Sequence, residues 1–243
     1  MNDVMTLMAA HRSVRSFAPA PVTDSKIRAA VASAQCAATS SWIQAYSLIQ
    51  VIEGGERERI AELCGNQAQV QEAGAFFVLC GDQRRHKLLA ERAGSPRSDN
   101  LETSLLAITD ACLFAQNLTL AFESMGLGCC YIGGLRTRLQ EVDRLLELPQ
   151  GVLPLFGICV GEPLDRSATR PRLSPEAVWM KGRYANDESV IREVEEHDEA
   201  AAEHYAERGL EGRNWSGGMH RKFAQPLRPH LAEYYQSKGA RFD

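Results

Sequence analysis

Four clusters in this 243-residue chain carry side chains able to hold a flat, anionic cofactor. His11-Arg12-Ser13 with Arg15 puts three potential cations and a hydroxyl into one short segment. A phosphate is bound by this mix, because a guanidinium donates in a fork and a serine hydroxyl adds a short hydrogen bond. Thr39-Ser40-Ser41-Trp42 with Gln44 is a hydroxyl-rich loop. Tyr131-Ile132-Gly133-Gly134-Leu135-Arg136 contains paired glycines, whose missing side chains let backbone N–H groups approach a flat ligand. Arg170-Pro171-Arg172 spaces two guanidinium groups across a rigid proline, in the manner of a phosphate clamp. Each cluster has an ordinary alternative: a solvated basic turn for the first and last, a hydroxyl-bonded turn for the second and a tight turn for the third.

Other chemistries find less support. Gly126-x-Gly128 starts like a dinucleotide fingerprint, but Tyr131 stands at the third glycine and the motif follows a helix, not a strand. His197 and His204 share a helical face two turns apart with no third ligand implied, so a solvated surface helix and no metal site are expected. No GxSxG elbow or other Ser/His/Asp arrangement is signalled.

The clusters need a folded frame. Hydrophobic residues make up 44% of the chain and charged ones 24%, as in ordinary globular proteins. Lys plus Arg is 27 against 31 for Asp plus Glu, a net charge of −4 that argues against a nucleic-acid binder. Seven cysteines without CxxC or CxxH spacing read as reduced, structural thiols of a cytoplasmic protein. The N-terminus has no signal-type core, and no window approaches the ~20 apolar residues of a membrane span, so a soluble protein without a membrane partner is expected.

Periodicity predicts helices over 3–10, 24–37 (capped by Thr23), 56–64, 101–125, 137–147, 187–207 and 228–238. Strands are expected at 47–53, 75–81 and 155–161, and residues 83–100 read as a mobile surface segment. The alternation of strands and helices indicates an α/β or α+β class. In the 101–125 helix, Leu105, Ile108, Cys112, Ala115, Leu118, Phe122 and Met125 form one stripe, widened almost all round by further apolar residues. Such a helix belongs in a large core or between subunits.

HRSVRSF at 11–17, TSSWIQ at 39–44, GNQ at 65–67, GLGCCYIGGLR at 126–136, PLFGICVGEP at 154–163 and RPRL at 170–173 follow one another in a familiar order. Together they resemble the nitroreductase superfamily, in particular its larger NADPH-preferring branch of oxygen-insensitive nitroreductases and flavin reductases. The resemblance covers nearly the whole chain. It implies a single α+β domain over 1–243 with a C-terminal excursion at about 185–230, a mixed sheet flanked by helices, and FMN bound at a homodimer interface.

By the same resemblance, His11, Arg12, Ser13, Arg170 and Arg172 would line the phosphate and ribityl end of FMN, and Arg15 would lie near the flavin pyrimidine. The loop of Thr39, Ser40, Ser41, Trp42 and Gln44, with Gln67, would face the cofactor. Tyr131, Ile132, Gly133, Gly134 and Leu135 would run along the ring. Arg208 and Arg213 would hold the NADPH 2′-phosphate. The flavin N5 would carry the chemistry, with no catalytic side chain. Two-electron, ping-pong hydride transfer from NADPH to nitro-aromatics, quinones or flavins is the implied activity. The alternatives are a flavin reductase that hands reduced FMN to a partner, and a non-catalytic flavin-binding module.

Overall fold

The computed structural model describes residues 2–52, 54–164 and 168–241. In chain order its elements are α1 (Asp3–Ala9), α2 (Asp24–Ala34), β1 (Tyr46–Val51), α3 (Gly55–Leu63), α4 (Ala68–Glu72), β2 (Ala75–Asp82), α5 (Arg84–Ala93), α6 (Leu101–Ser124), β3 (Gly128–Ile132), α7 (Leu139–Leu145), β4 (Val152–Gly161), α8 (Pro175–Val178), α9 (Asp187–Ala206), α10 (Trp215–Phe223) and α11 (Leu231–Ser237). Two compact units divide them: residues 168–227 form one, and the chain before them together with the segment from Arg228 forms the other. Glu53, the last residue of the strand expected at 47–53, lies outside the described residues.

The larger unit is a four-stranded sheet in the order β1-β2-β4-β3, with each neighbouring pair antiparallel. The apolar run of β2 is explained by its central position. Phe76, Val78 and Cys80 enter one apolar layer, while Ala75, Phe77 and Leu79 enter the other. Successive side chains of a strand point to opposite faces, so a strand covered on both faces reads as continuously apolar. Two isolated bridges extend the sheet, Ser13↔Cys129 in parallel and Phe17↔Pro163 antiparallel.

Helix α6 backs one face. Its start is fixed by a reciprocal cap: Asn100 Oδ1 accepts from the Thr103 amide at 3.1 Å, and Thr103 Oγ1 accepts from the Asn100 amide at 3.1 Å. Its end is marked by Gly126, whose φ of +80° few other residues adopt without strain. The buried face carries Ser104, Ala107, Asp110, Ala111, Phe114, Leu118 and Phe122, whereas Leu105 and Cys112 are exposed. The stripe drawn from apolar residues alone therefore holds at Ala115, Leu118 and Phe122 and fails at Leu105 and Cys112, because polar Ser104, Asp110 and Thr119 share the inner face. The helix is also long and apolar enough by composition to cross a membrane, with a mean hydropathy of 1.5, contrary to the expectation that no window comes close. The sheet accounts for that composition, since Phe114, Leu118 and Phe122 pack into the layer containing Phe77 and Leu79.

Three features stand apart from the expectations. Residues 83–100, expected as a mobile surface segment, contain the surface helix α5 at 84–93, which ends at Gly94 with φ +61°. Strand β3 was not foreseen, because its five residues GCCYI are too short to show a period. Helix α10, absent from the expected elements, starts at the cap residue Asn214, whose side chain accepts from the Gly217 amide at 3.1 Å.

Candidate functional site

The 11–15 segment is laid beside β3 by backbone pairing. The Val14 amide donates to the Cys129 carbonyl at 2.9 Å, and Val14 and Phe17 are buried anchors. Arg12 is left half-buried and Arg15 exposed. Their protein contacts are long bonds to nearby carbonyls, Arg12 to Ala10 at 3.3 Å and Arg15 to Ser13 at 3.4 Å. A guanidinium has five N–H donors, so most remain available to a ligand. His11 is held differently: its Nδ1 lies 2.6 Å from Glu123 Oε1 on α6. The other Glu123 oxygen is buried without a hydrogen-bond partner among the described residues.

On the same strand, Tyr131 is followed by a 3₁₀ turn over Gly133–Thr137. The two glycines are not equivalent. A Cβ on Gly134 would lie 2.4 Å from the Cys64 carbonyl oxygen and 2.4 Å from Gln67 Nε2, whereas one on Gly133 would meet only an Arg136 nitrogen at 3.4 Å. Gly134 is thus required by the packing of the protein against itself, and the backbone at Gly133 is the one open to a ligand. This close approach also joins the GNQ and YIGG motifs. Gln67 Nε2 donates to the Cys64 carbonyl at 2.8 Å, and Gln67 Oε1 accepts from Gln69 Nε2 at 2.9 Å. The side chains of Ile132 and Leu135 lie in the core, so only their backbone can face a cofactor. The Tyr131 ring packs on Phe156 with centroids 5.1 Å apart, and its hydroxyl is 3.1 Å from Thr119 Oγ1. Burial pushes the Tyr131 phenol up to about 12.

The 39–45 loop is built around a carboxylate that the sequence reading missed. Asp110 of α6, 1% exposed, accepts from Thr39 Oγ1 at 2.5 Å, the Ser40 amide at 3.2 Å and the Ala45 amide at 3.1 Å. Thr39 Oγ1 in turn accepts from the Gln44 amide at 2.9 Å. From the other side α5 secures the loop carbonyls. His86 Nε2 lies 2.9 Å from the Ile43 oxygen, and Arg85 donates to the Gln44 and Tyr46 oxygens at 3.3 and 2.9 Å. Ser41, Trp42 and Gln44 all have left-handed φ, at 47°, 60° and 51°. Ser40 and Ser41 are exposed, and Trp42 is 80% exposed. A carboxylate in the middle of a largely apolar helix is the available signal, since a buried charge must find donors.

Within one chain, then, the 11–15, 67 and 131–134 motifs are neighbours. The 39–44 loop is not among them: Asp110 and Thr119, its and Tyr131's contacts on α6, are nine residues apart, about 13 Å at 1.5 Å per residue.

The second unit is a helical assembly of its own. Asp198 on α9 holds the start of α10 by accepting from the Ser216 amide at 2.8 Å, from Asn214 Nδ2 at 3.1 Å and from the Ser216 hydroxyl. A cavity of about 170 Å³ is lined by Arg170, His197, His204, Tyr205, Arg208 and Trp215, among others. His197 is therefore not on a solvated face, as its spacing suggested. It is buried, its ring meets Trp215 edge-on at 5.4 Å, and its Nδ1 has no hydrogen-bond partner among the described residues. Arg170 shares this cavity with Arg208, while Arg172 folds back, its Nη1 3.2 Å from the Arg170 carbonyl. Arg213 is exposed. Among the described residues no cluster of three or more His, Cys, Asp or Glu side chains is placed to hold a metal.

An antiparallel sheet backed by one long apolar helix, with cationic and glycine motifs along its β3 edge, defines a class of protein that comparison makes specific. The Nitroreductase family model matches residues 8–162, and the Nitroreductase family C-terminal domain model matches residues 170–243. The chain belongs to the nitroreductase family. It is 40% identical over 245 residues to the FMN reductase (NADPH) of Bacillus subtilis, covering 98% of each chain. It is 37% identical to the oxygen-insensitive NADPH nitroreductase of Salmonella typhimurium, again over 98% of each. Among solved structures, the NADPH:FMN oxidoreductase of Vibrio harveyi complexed with NAD+ superposes with a TM-score of 0.90 at 34% identity, covering 100% of both chains.

Proposed function

We propose that this chain is an FMN-dependent NADPH oxidoreductase that reduces small organic acceptors such as nitro-aromatics, quinones or flavins. The observation that carries the reading is the Ser13↔Cys129 bridge, which lays the Arg12–Arg15 segment along β3, the strand that carries Tyr131 and leads into Gly133. The residues present fit FMN: guanidinium donors with only long internal bonds suit its phosphate, and an open backbone at Gly133 suits a flat ring. The names of the relatives support the same cofactor and donor. When bound, FMN supplies two-electron hydride chemistry, so no side chain need serve as acid, base or nucleophile. Arg12, Ser13 and His11 bind the phosphate end, and Arg15 places positive charge near the pyrimidine. Tyr131 stays a neutral phenol at physiological pH. Arg170 and Arg172 supply further guanidinium donors suited to a phosphate, and Arg208 with Arg213 binds the 2′-phosphate of NADPH.

The active form is a homodimer, in which the 39–44 loop reaches flavin across the subunit junction while Gln67 stays beside Gly134 of its own chain. Exposed Leu101, Leu105 and Leu113 on α6 support this, because a monomer would leave that apolar face in water. A flavin-loaded monomer in sedimentation at micromolar concentration would exclude it. Reduced, mostly buried thiols agree with a cytoplasmic location.

The deciding experiment is to purify the protein, record its flavin absorbance, and follow NADPH consumption with and without a nitro-aromatic. FMN absorbance and acceptor-dependent NADPH oxidation are expected. A colourless protein that neither binds added FMN nor consumes NADPH would end the proposal.

A further inference from the structure

We infer that Asp110 is a positioning residue of the flavin site, holding the 39–45 loop in its binding shape before any cofactor arrives. The inference rests on the reading of that loop as part of the FMN site. Three residues of the loop that are not glycine sit at left-handed φ, a region open chains rarely visit. Such outliers persist only where their surroundings over-determine them, and they gather at ligand sites. Here the surroundings are explicit. Donors of the loop face Asp110, through Thr39 Oγ1, the Ser40 amide and the Ala45 amide. Carbonyls of the loop face α5, through Arg85 and His86. What remains for solvent or ligand is the display of Ser40, Ser41 and Trp42.

The chemistry requires a carboxylate. Each Asp110 oxygen accepts from the loop, one from Ser40 and the other from both Thr39 and Ala45. Asparagine has the same shape but one acceptor oxygen, and its amide hydrogens would point at other donors. The substitution Asp110→Asn therefore releases one end of the loop without opening a cavity. A loop fixed in advance saves the ordering cost that binding would otherwise carry.

Two measurements test this. First, apoprotein is titrated with FMN, following quenching of flavin fluorescence. Asp110→Asn should raise the Kd at least tenfold and change the visible circular dichroism of the bound flavin, at a temperature where far-ultraviolet dichroism shows the variant folded. An unchanged Kd and unchanged flavin dichroism in the folded variant would overturn the inference. Second, hydrogen exchange on the wild-type apoprotein keeps the inference testable if the variant does not fold. Slow exchange at Ser40, Gln44 and Ala45 before FMN is added is expected. Exchange at open-chain rates until FMN is added would show that the cofactor, not Asp110, shapes the loop. Failure of the wild-type protein to bind FMN would be seen in the first titration and would remove both the flavin reading and this inference.

Discussion

Substituting Gly134 by alanine isolates the packing demand at the centre of the site. The new Cβ would lie 2.4 Å from the Cys64 carbonyl oxygen and from Gln67 Nε2, where contacts under 3.0 Å essentially do not occur. Relief requires a shift of more than half an ångström, on the order of 0.6–0.8 Å, and overpacking of this kind costs about 1–3 kcal/mol. Gln67 can swing away, but it then gives up its 2.8 Å bond to the same carbonyl, a loss of about 0.5–1.5 kcal/mol. The Cys64 oxygen belongs to the backbone and cannot swing. A total of about 1.5–4.5 kcal/mol lowers the Tm of a chain this size by roughly 3–18 °C. Gly133→Ala is the control, because its Cβ meets only an arginine nitrogen at 3.4 Å and should shift the Tm by little. Differential scanning calorimetry on apoprotein reads both, free of any cofactor contribution. Equal melting temperatures for wild type and Gly134→Ala would refute the reasoning. A larger loss for Gly133→Ala would show that the roles of the two glycines are reversed.

Three other outcomes follow from the proposed roles and from the burial of Tyr131. Arg172→Ala should weaken FMN binding by about 1.5–3 kcal/mol through a lost charge-assisted contact; unchanged flavin occupancy after dilution and gel filtration would place the clamp elsewhere. Arg208→Ala should raise the KM for NADPH strongly while leaving that for NADH and the flavin spectrum nearly unchanged, because only NADPH carries a 2′-phosphate for a guanidinium fork; equal losses with both donors would make Arg208 structural. Tyr131, held up at about 12 by burial, contributes nothing to pH dependence while the phenol is protonated in both the folded and the unfolded chain. As pH rises above about 10 the unfolded chain releases that proton and the folded one keeps it, so stability falls. The alkaline decline in Tm should be shallower in Tyr131→Phe, and an identical decline would show that other groups cause it.

The sequence by itself marked Arg12, Ser13, Arg15 and the paired glycines as candidates for phosphate and ring contacts, because they are local motifs that chemistry can read directly. It also determined that β2 and β4 are buried, since a run such as FFVLC has no wet face to offer. Only the tertiary structure decided which inner positions are polar. Asp110 lies among apolar neighbours in sequence, and its partners are about 65–71 residues away along the chain, a separation no local period records. The same holds for β3, whose five residues become a strand by pairing with β4, and for α5, whose role is to hold the carbonyls of a loop some forty residues earlier. Gly134 illustrates the division within one residue. Its lack of a side chain was visible at once, but what occupies the space, the Cys64 carbonyl and Gln67, is set by how distant segments pack. Local propensity and residue chemistry act over a few positions, whereas burial and close approach are properties of the assembled chain.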